Sequence, residues 1–203
     1  MQNIDLICIG KMNAAYFAAG VAEYQKRLGG FCNFRIIELP EATIADKNAS
    51  DKQIAKALQK EADAILASVR KGAYLVALCV EGKQISSEDL AALLAERAGS
   101  GAGDIAFVIG SSHGLDDRVK KAAQARISMG RITLPHQLAR LVLTEQLYRA
   151  CTINAGMKFH KEARSIYNIR PAHEFHVRGV VCQLSISAGP ENPYTGSRSL
   201  LSS

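Results

Sequence analysis

This sequence predicts an α/β protein with a layered, mostly parallel sheet, and three observations predict it. Short apolar blocks alternate with amphipathic stretches over the first four fifths of the chain. Strands separated by helices pair in parallel, because each helix carries the chain back across the sheet. Two of the blocks, Tyr74–Val80 (YLVALCV) and Asp104–Ile109 (DIAFVI), are apolar on successive residues, as strands covered on both faces are. The blocks also stop at glycine or run into it, at Gly10, Val80-Glu81-Gly82, Gly110-Ser111-Ser112 and Gly130-Arg131. Such sheets take their ligands just beyond the carboxyl ends of the strands.

Ile4–Ile9 (IDLICI) is the first expected strand, closed by Gly10. Asn13 is placed to cap a helix over Ala14–Leu28, which Gly29-Gly30 stops. Arg35–Leu39 (RIIEL) is the second strand, ended by Pro40. Ser50 caps a long helix reaching Lys71, where Ile54, Leu58, Ile65 and Val69 recur at helical spacing and Gly72 provides the stop. Tyr74–Val80 is the third strand, and Ser86-Ser87-Glu88-Asp89 opens a helix to Ala98 with a capping-box pattern before the flexible GSGAG of 99–103. After the fourth strand, Asp104–Ile109, a helix is expected over Asp116–Gln124 and a brief strand over Arg126–Met129. Pro135 suits the first position of a last helix that runs to Ile153. From Ala163 the character changes: one short apolar stretch, Val180–Ile186, and an end rich in Gly, Pro, Ser and Asn read as either an extra strand or a poorly ordered tail.

Composition excludes several classes. At 203 residues, 48% hydrophobic and 22% charged, the chain is neither disordered throughout nor embedded in a membrane. No apolar run reaches the roughly 18 residues of a spanning helix. MQNIDLICIGK has no basic n-region and no small-residue cleavage site, so a strand and a cytoplasmic location are expected rather than a signal peptide. Net charge is +6, of which +4 falls on residues 1–162 and +2 on 163–203, with no block of positive charge. Such a surplus permits a nucleic-acid partner without demanding one. The five cysteines, Cys8, Cys32, Cys79, Cys151 and Cys182, are odd in number, lack CxxC spacing and read as buried free thiols rather than disulfides or zinc ligands.

Three loops carry the candidate chemistry. Ile109-Gly110-Ser111-Ser112-His113-Gly114-Leu115 is a glycine-rich strand-to-helix turn in which a ligand could approach the backbone; an ordinary tight turn would look the same. It matches neither the dinucleotide fingerprint nor the Walker A loop. Cys79-Val80-Glu81-Gly82-Lys83 follows another strand in the same way. Ser128–Leu134 runs into Pro135-His136-Gln137 and a helix carrying Arg140, Glu145 and Arg149. Alone, His136 would be a surface or capping residue, and Glu145 with Arg149 a solvent-exposed helical ion pair. All three loops fall at the carboxyl edge of one expected sheet.

The run Ile132-Thr133-Leu134-Pro135-His136-Gln137-Leu138-Ala139-Arg140, then Glu145-Gln146-Leu147-Tyr148-Arg149-Ala150, with FVIGSSHGL at 107–115 and IGKM at 9–12, resembles the ribosomal RNA large subunit methyltransferase H family. The resemblance extends to Lys161-Glu162. It implies the SPOUT class of α/β fold with a trefoil knot near the carboxyl end of a domain over 1–162. It also implies transfer of a methyl group from S-adenosyl-L-methionine to N3 of a pseudouridine in 23S ribosomal RNA, with the ribosome as partner and a homodimer as the working form. The resemblance implies no metal, no membrane and no DNA partner. By the same resemblance Leu78, Gly110, Met129, Gly130, Arg131, Ile132, Thr133 and Leu134 contact the cofactor, while His160, Arg149 and Glu162 serve the chemistry, His160 as proton acceptor and Arg149 as a clamp on phosphate or base. This chain departs from the family pattern twice: Phe159 stands where the family carries Tyr, and the chain continues through 163–203 as an atypical extension. Those departures leave an alternative, a catalytically impaired ribosome-associated module that still binds adenosylmethionine. The glycine-rich turns by themselves also admit a small-molecule nucleotide-binding protein.

Overall fold

A computed structural model describes residues 1–44, 49–101 and 103–157. Its elements follow in order: β1 (Asn3–Ile9), α1 (Ala15–Leu28), β2 (Asn33–Leu39), α2 (Asp51–Ser68), β3 (Tyr74–Gln84), α3 (Ser87–Gly99), β4 (Ile105–Ile109), α4 (Asp117–Ala122), β5 (Ala125–Ser128) and α5 (His136–Asn154). The five strands form one sheet in the order β2-β1-β4-β3-β5, and every pairing is parallel. The expected α/β layering is therefore present.

Alternation along the strands sorts the core into two layers. Ile4, Leu6 and Cys8 of β1, with Ile105, Phe107 and Ile109 of β4, face Leu28 of α1, Leu90 and Leu94 of α3, and Leu143 and Leu147 of α5. The intervening Ile7, Ile9, Ala106 and Val108 face Ala62 and Ile65 of α2 and Val119 of α4. Phe107 at the centre of the sheet is fully buried, and burying a side chain of this kind contributes about 1.5–3 kcal/mol. Asp5 is the polar exception on β1. Arg35, its direct partner on β2, donates to it at 2.9 and 3.0 Å, and Arg70 donates at 2.7 Å. Burial pushes the Asp5 carboxyl up, but the hydrogen bonds from Arg70 and Arg35 outweigh it and hold the group below the usual carboxylate range.

The helices start where their caps require. Ser86 Oγ accepts from the Asp89 amide at 3.1 Å while Asp89 accepts from the Ser86 amide at 3.0 Å, a reciprocal capping box on α3. Gln53 Oε1 accepts from the Ser50 amide at the start of α2. Three expectations need correction. Asn13 does not cap α1; Ala14 occupies that position, because Gln137 Oε1 of α5 takes both the Asn13 and the Ala14 amide at 3.1 Å. α2 ends at Ser68 and not at Lys71, since Val69 turns extended and places Arg70 on Asp5. β3 also runs to Gln84, four residues past the expected end. Only Leu75–Ala77 of it are fully buried, and Val80 is exposed.

Cys8 and Cys32 are buried, and Cys79 and Cys151 half-buried; Cys182 and the expected strand or tail from 163 lie outside the described residues. Burial pushes the Cys8 thiol up to about 12. No helix among the described residues is long and apolar enough to cross a membrane.

Candidate functional site

Three irregularities of the backbone open a cleft at the carboxyl edge of the sheet. β3 pairs with β5 as far as Leu78 opposite Ile127, then resumes with Lys83 opposite the same Ile127. Residues 79–82 between them must bulge out of the ladder. The bulge closes only because position 82 lacks a side chain: a Cβ on Gly82 would stand 2.5–2.7 Å from the Ile127 backbone. After β4 the chain reverses through Gly110–Gly114, where Ser111 and Gly114 form an antiparallel bridge and Gly114 takes φ +88°. A Cβ on Gly110 would overlap the Gly114 carbonyl, so this glycine is required by the turn itself. After β5, Ser128 Oγ donates to the Gly130 carbonyl at 2.9 Å and accepts from its amide at 3.3 Å, folding the loop that leads to Pro135 and α5.

The resulting cleft of about 730 Å³ is lined by Leu78–Glu81, Ile109–Leu115 and Ile127–His136 except Arg131, with Lys120 and Ala139. That is the volume of a site for a nucleoside-sized ligand. Apolar side chains that a folded chain usually covers collect here: Ile132 is 80% exposed, Val80 70% and Met129 37%. One charged pair stands at the rim. Lys120 Nζ of α4 lies 2.6 Å from Glu81 Oε1 of the bulge, and this contact holds the Glu81 carboxyl below its ordinary value and the Lys120 ammonium above its own. Burial, and then the Glu81 charge, push the Cys79 thiol beside them up.

The neighbouring loop after β1 is held just as firmly. Arg140, buried on α5, donates to the Ile9 and Gly10 carbonyls at 2.6 and 2.7 Å and to Glu38 Oε1 at 2.9 Å. Glu38 Oε1 also accepts from the Met12 amide. These bonds cap the end of β1 from the first turns of α5, the helix that follows the cleft.

Of the residues expected at the cofactor, Leu78, Gly110, Met129, Gly130, Ile132, Thr133 and Leu134 all line the cleft, whereas Arg131 lies exposed in the same loop and does not. Arg149 is not in the cleft: it follows His136 by 13 residues on α5, about 20 Å along the helix axis. It pairs with Glu145, and the pair is about four fifths buried instead of solvent-exposed. Ser87 Oγ donates to Gln146 Oε1 at 2.6 Å, which ties this part of α5 to α3. His160, Glu162 and Phe159 lie outside the described residues.

Sequence reasoning missed Lys120, Glu41 and Glu61. Glu61 sits on the buried face of α2, 5% exposed, and accepts from Ser111 Oγ at 2.9 Å and from the Ala42 amide at 3.0 Å. Its signal was a carboxylate midway between Leu58 and Ile65, on the helix's own apolar stripe. Glu41 Oε1 accepts from Ser112 Oγ at 3.3 Å.

A parallel sheet with a largely apolar cleft past its carboxyl ends is the arrangement in which α/β proteins hold small ligands. Comparison with known proteins makes this specific. Residues 2–160 match the family model described as "Predicted SPOUT methyltransferase". The chain is 49% identical over 160 residues to the ribosomal RNA large subunit methyltransferase H of Streptococcus equi subsp. zooepidemicus, covering 79% of this chain and 100% of the relative. It is 48% identical, with the same coverage, to the protein of that name from Pediococcus pentosaceus. Among solved structures, a probable methyltransferase from Bordetella pertussis Tohama I aligns over 73% of this chain and 93% of its own at TM-score 0.44 and 16% identity. The chain therefore belongs to the ribosomal RNA large subunit methyltransferase H family of SPOUT methyltransferases.

Proposed function

We propose that this protein transfers a methyl group from S-adenosyl-L-methionine to N3 of a pseudouridine in 23S ribosomal RNA, acting on the assembled ribosome. The observation that carries the reading is that seven of the eight residues which the family resemblance assigns to the cofactor, far apart in sequence, come together in one cleft, in a chain that matches that family over 160 residues.

The residues present fit the donor. Leu78, Ile109, Met129, Ile132 and Leu134 offer apolar cover for a planar base, and the backbone of 110–114 and 129–134 offers amide and carbonyl groups for its edges. When bound, the donor supplies an electrophilic methyl on sulfur. The chain then has to orient a ring nitrogen in line with that methyl and to remove its proton. His160 is the proton acceptor in this reading and Glu162 follows it two residues on in sequence, while Arg149 grips the RNA.

Arg149, ten residues beyond Ala139 and so about 15 Å along α5 from the cleft, serves best in a homodimer in which one subunit's Arg149 attends its partner's cleft. The segment from β4 to α5 is the part that would form the trefoil knot of the class. The domain of 1–162 carries the chemistry and 163–203 is an appendage, in keeping with relatives matched over their full length by 160 residues. The test is to incubate the protein with methyl-labelled adenosylmethionine and ribosomes from a strain lacking the modification, then map the label. Label on N3 of one pseudouridine of the large-subunit RNA is expected; absence of incorporation overturns the reading.

A further inference from the structure

The buried carboxylate of Glu61 is used by neither the packing nor the chemistry described above. An apolar residue at this point of α2 would continue the stripe formed by Leu58, Ala62 and Ile65. A buried carboxylate is costly unless its oxygens are hydrogen-bonded, and here each oxygen serves a different segment. Oε1 takes the Ala42 amide of the chain leaving β2, and Oε2 takes the Ser111 hydroxyl of the turn leaving β4. The Glu41 carboxylate, one residue before Ala42, takes the Ser112 hydroxyl in turn. Ser111 of the glycine-rich turn is thus tied to α2, and Ser112 to the segment that leaves β2. These bonds anchor the whole turn, which lines the cleft and in which Gly110 cannot carry a Cβ.

We infer that Glu61 is a positioning residue for the cofactor: acting through Ser111, it sets the depth of the Gly110–Gly114 backbone against the nucleoside part of the methyl donor. The inference rests on the cofactor reading above and adds a residue that does not itself line the cleft. A leucine in its place would fill the volume and leave the Ser111 hydroxyl and the Ala42 amide without their acceptor. A glutamine keeps both bonds, its Oε1 accepting from Ala42 and its Nε2 donating to Ser111 Oγ.

The experiment is calorimetric titration of the full chain with S-adenosylmethionine, paired with steady-state methylation of ribosomes. Glu61→Ala is expected to weaken donor binding about tenfold and to raise the donor KM by a similar factor. In the same variant, kcat at saturating donor and the KM for ribosomes stay within about twofold of the wild type, a split that general destabilisation does not produce. Glu61→Gln is expected to restore donor affinity to within about threefold. Ser111→Ala, which leaves α2 untouched and covers the case of an unfolded Glu61→Ala, is expected to weaken the donor about fivefold. Adding it to Glu61→Ala should cost little more, because the two act through one contact. Donor affinity unchanged in both Glu61→Ala and Ser111→Ala overturns the assignment alone, as does a fall in kcat with donor affinity intact. Failure of the wild-type chain to bind the donor overturns the cofactor reading and the assignment with it.

Discussion

Asp5 on β1 and Gly10 just past its end, five residues apart, mark two ends of the sheet that are filled in opposite ways. At the amino end the buried carboxylate of Asp5 meets two partners of opposite charge, Arg35 and Arg70, which close over it. At the carboxyl end the ladder is interrupted, glycines stand where a Cβ would collide, and Ile132 and Val80 lie open to solvent. One end is arranged for stability. The other gives up packing to keep a cleft of about 730 Å³, as regions that must receive a ligand do. Substitutions at the two ends should therefore separate binding from stability.

The largest effect is expected at Gly110. Gly110→Val places side-chain atoms against the Gly114 carbonyl and should weaken S-adenosylmethionine binding by about a hundredfold or more in calorimetry. Next is Asp5→Ala, which strands two guanidinium groups and should cost about 2 kcal/mol in urea denaturation, with donor affinity unchanged. Its pH dependence has a definite sign. Because Asp5 titrates below its ordinary value in the folded chain, its stabilisation is complete above about pH 4, the range of an unfolded aspartate, and is lost as pH falls toward the lowered folded value. The stability gap between wild type and Asp5→Asn should accordingly shrink in acid. Ile132→Ser should reverse the pattern of Asp5→Ala: about fivefold weaker donor binding, with the melting temperature unchanged because the side chain is 80% exposed. The smallest effect is expected from Ser86→Ala, which removes the Oγ acceptor of the exposed α3 cap and should cost about 0.5 kcal/mol without touching the donor.

The same contrast explains what could be read before the structure. Strands and helices announce themselves through local periodicity and caps, so all five strands and five helices were expected, and Ser50 and Ser86 begin their helices where their side chains predict. Long-range contacts have no such signature. Nothing within 10–14 shows that Gln137, 124 positions from Asn13, takes the amide that would mark Asn13 as outside the cap. Nothing near 68–71 shows that Arg70 is drawn out of α2 by Asp5. At the site, loops at strand ends were found because topology places them there. Glu61 was overlooked because its role exists only once β4 and α2 are brought together. Arg149 was assigned through the family, and its distance from the cleft along α5 is a fact of geometry that the family motif does not contain.

The most direct test of the cleft as the donor site is a crystal structure with S-adenosylhomocysteine. The product is expected between the residue 79–82 bulge, the Gly110–Gly114 turn and the loop of residues 129–134, with Arg131 outside its contacts. Density for it anywhere else, such as the small pocket between α1 and Arg140, would contradict the account.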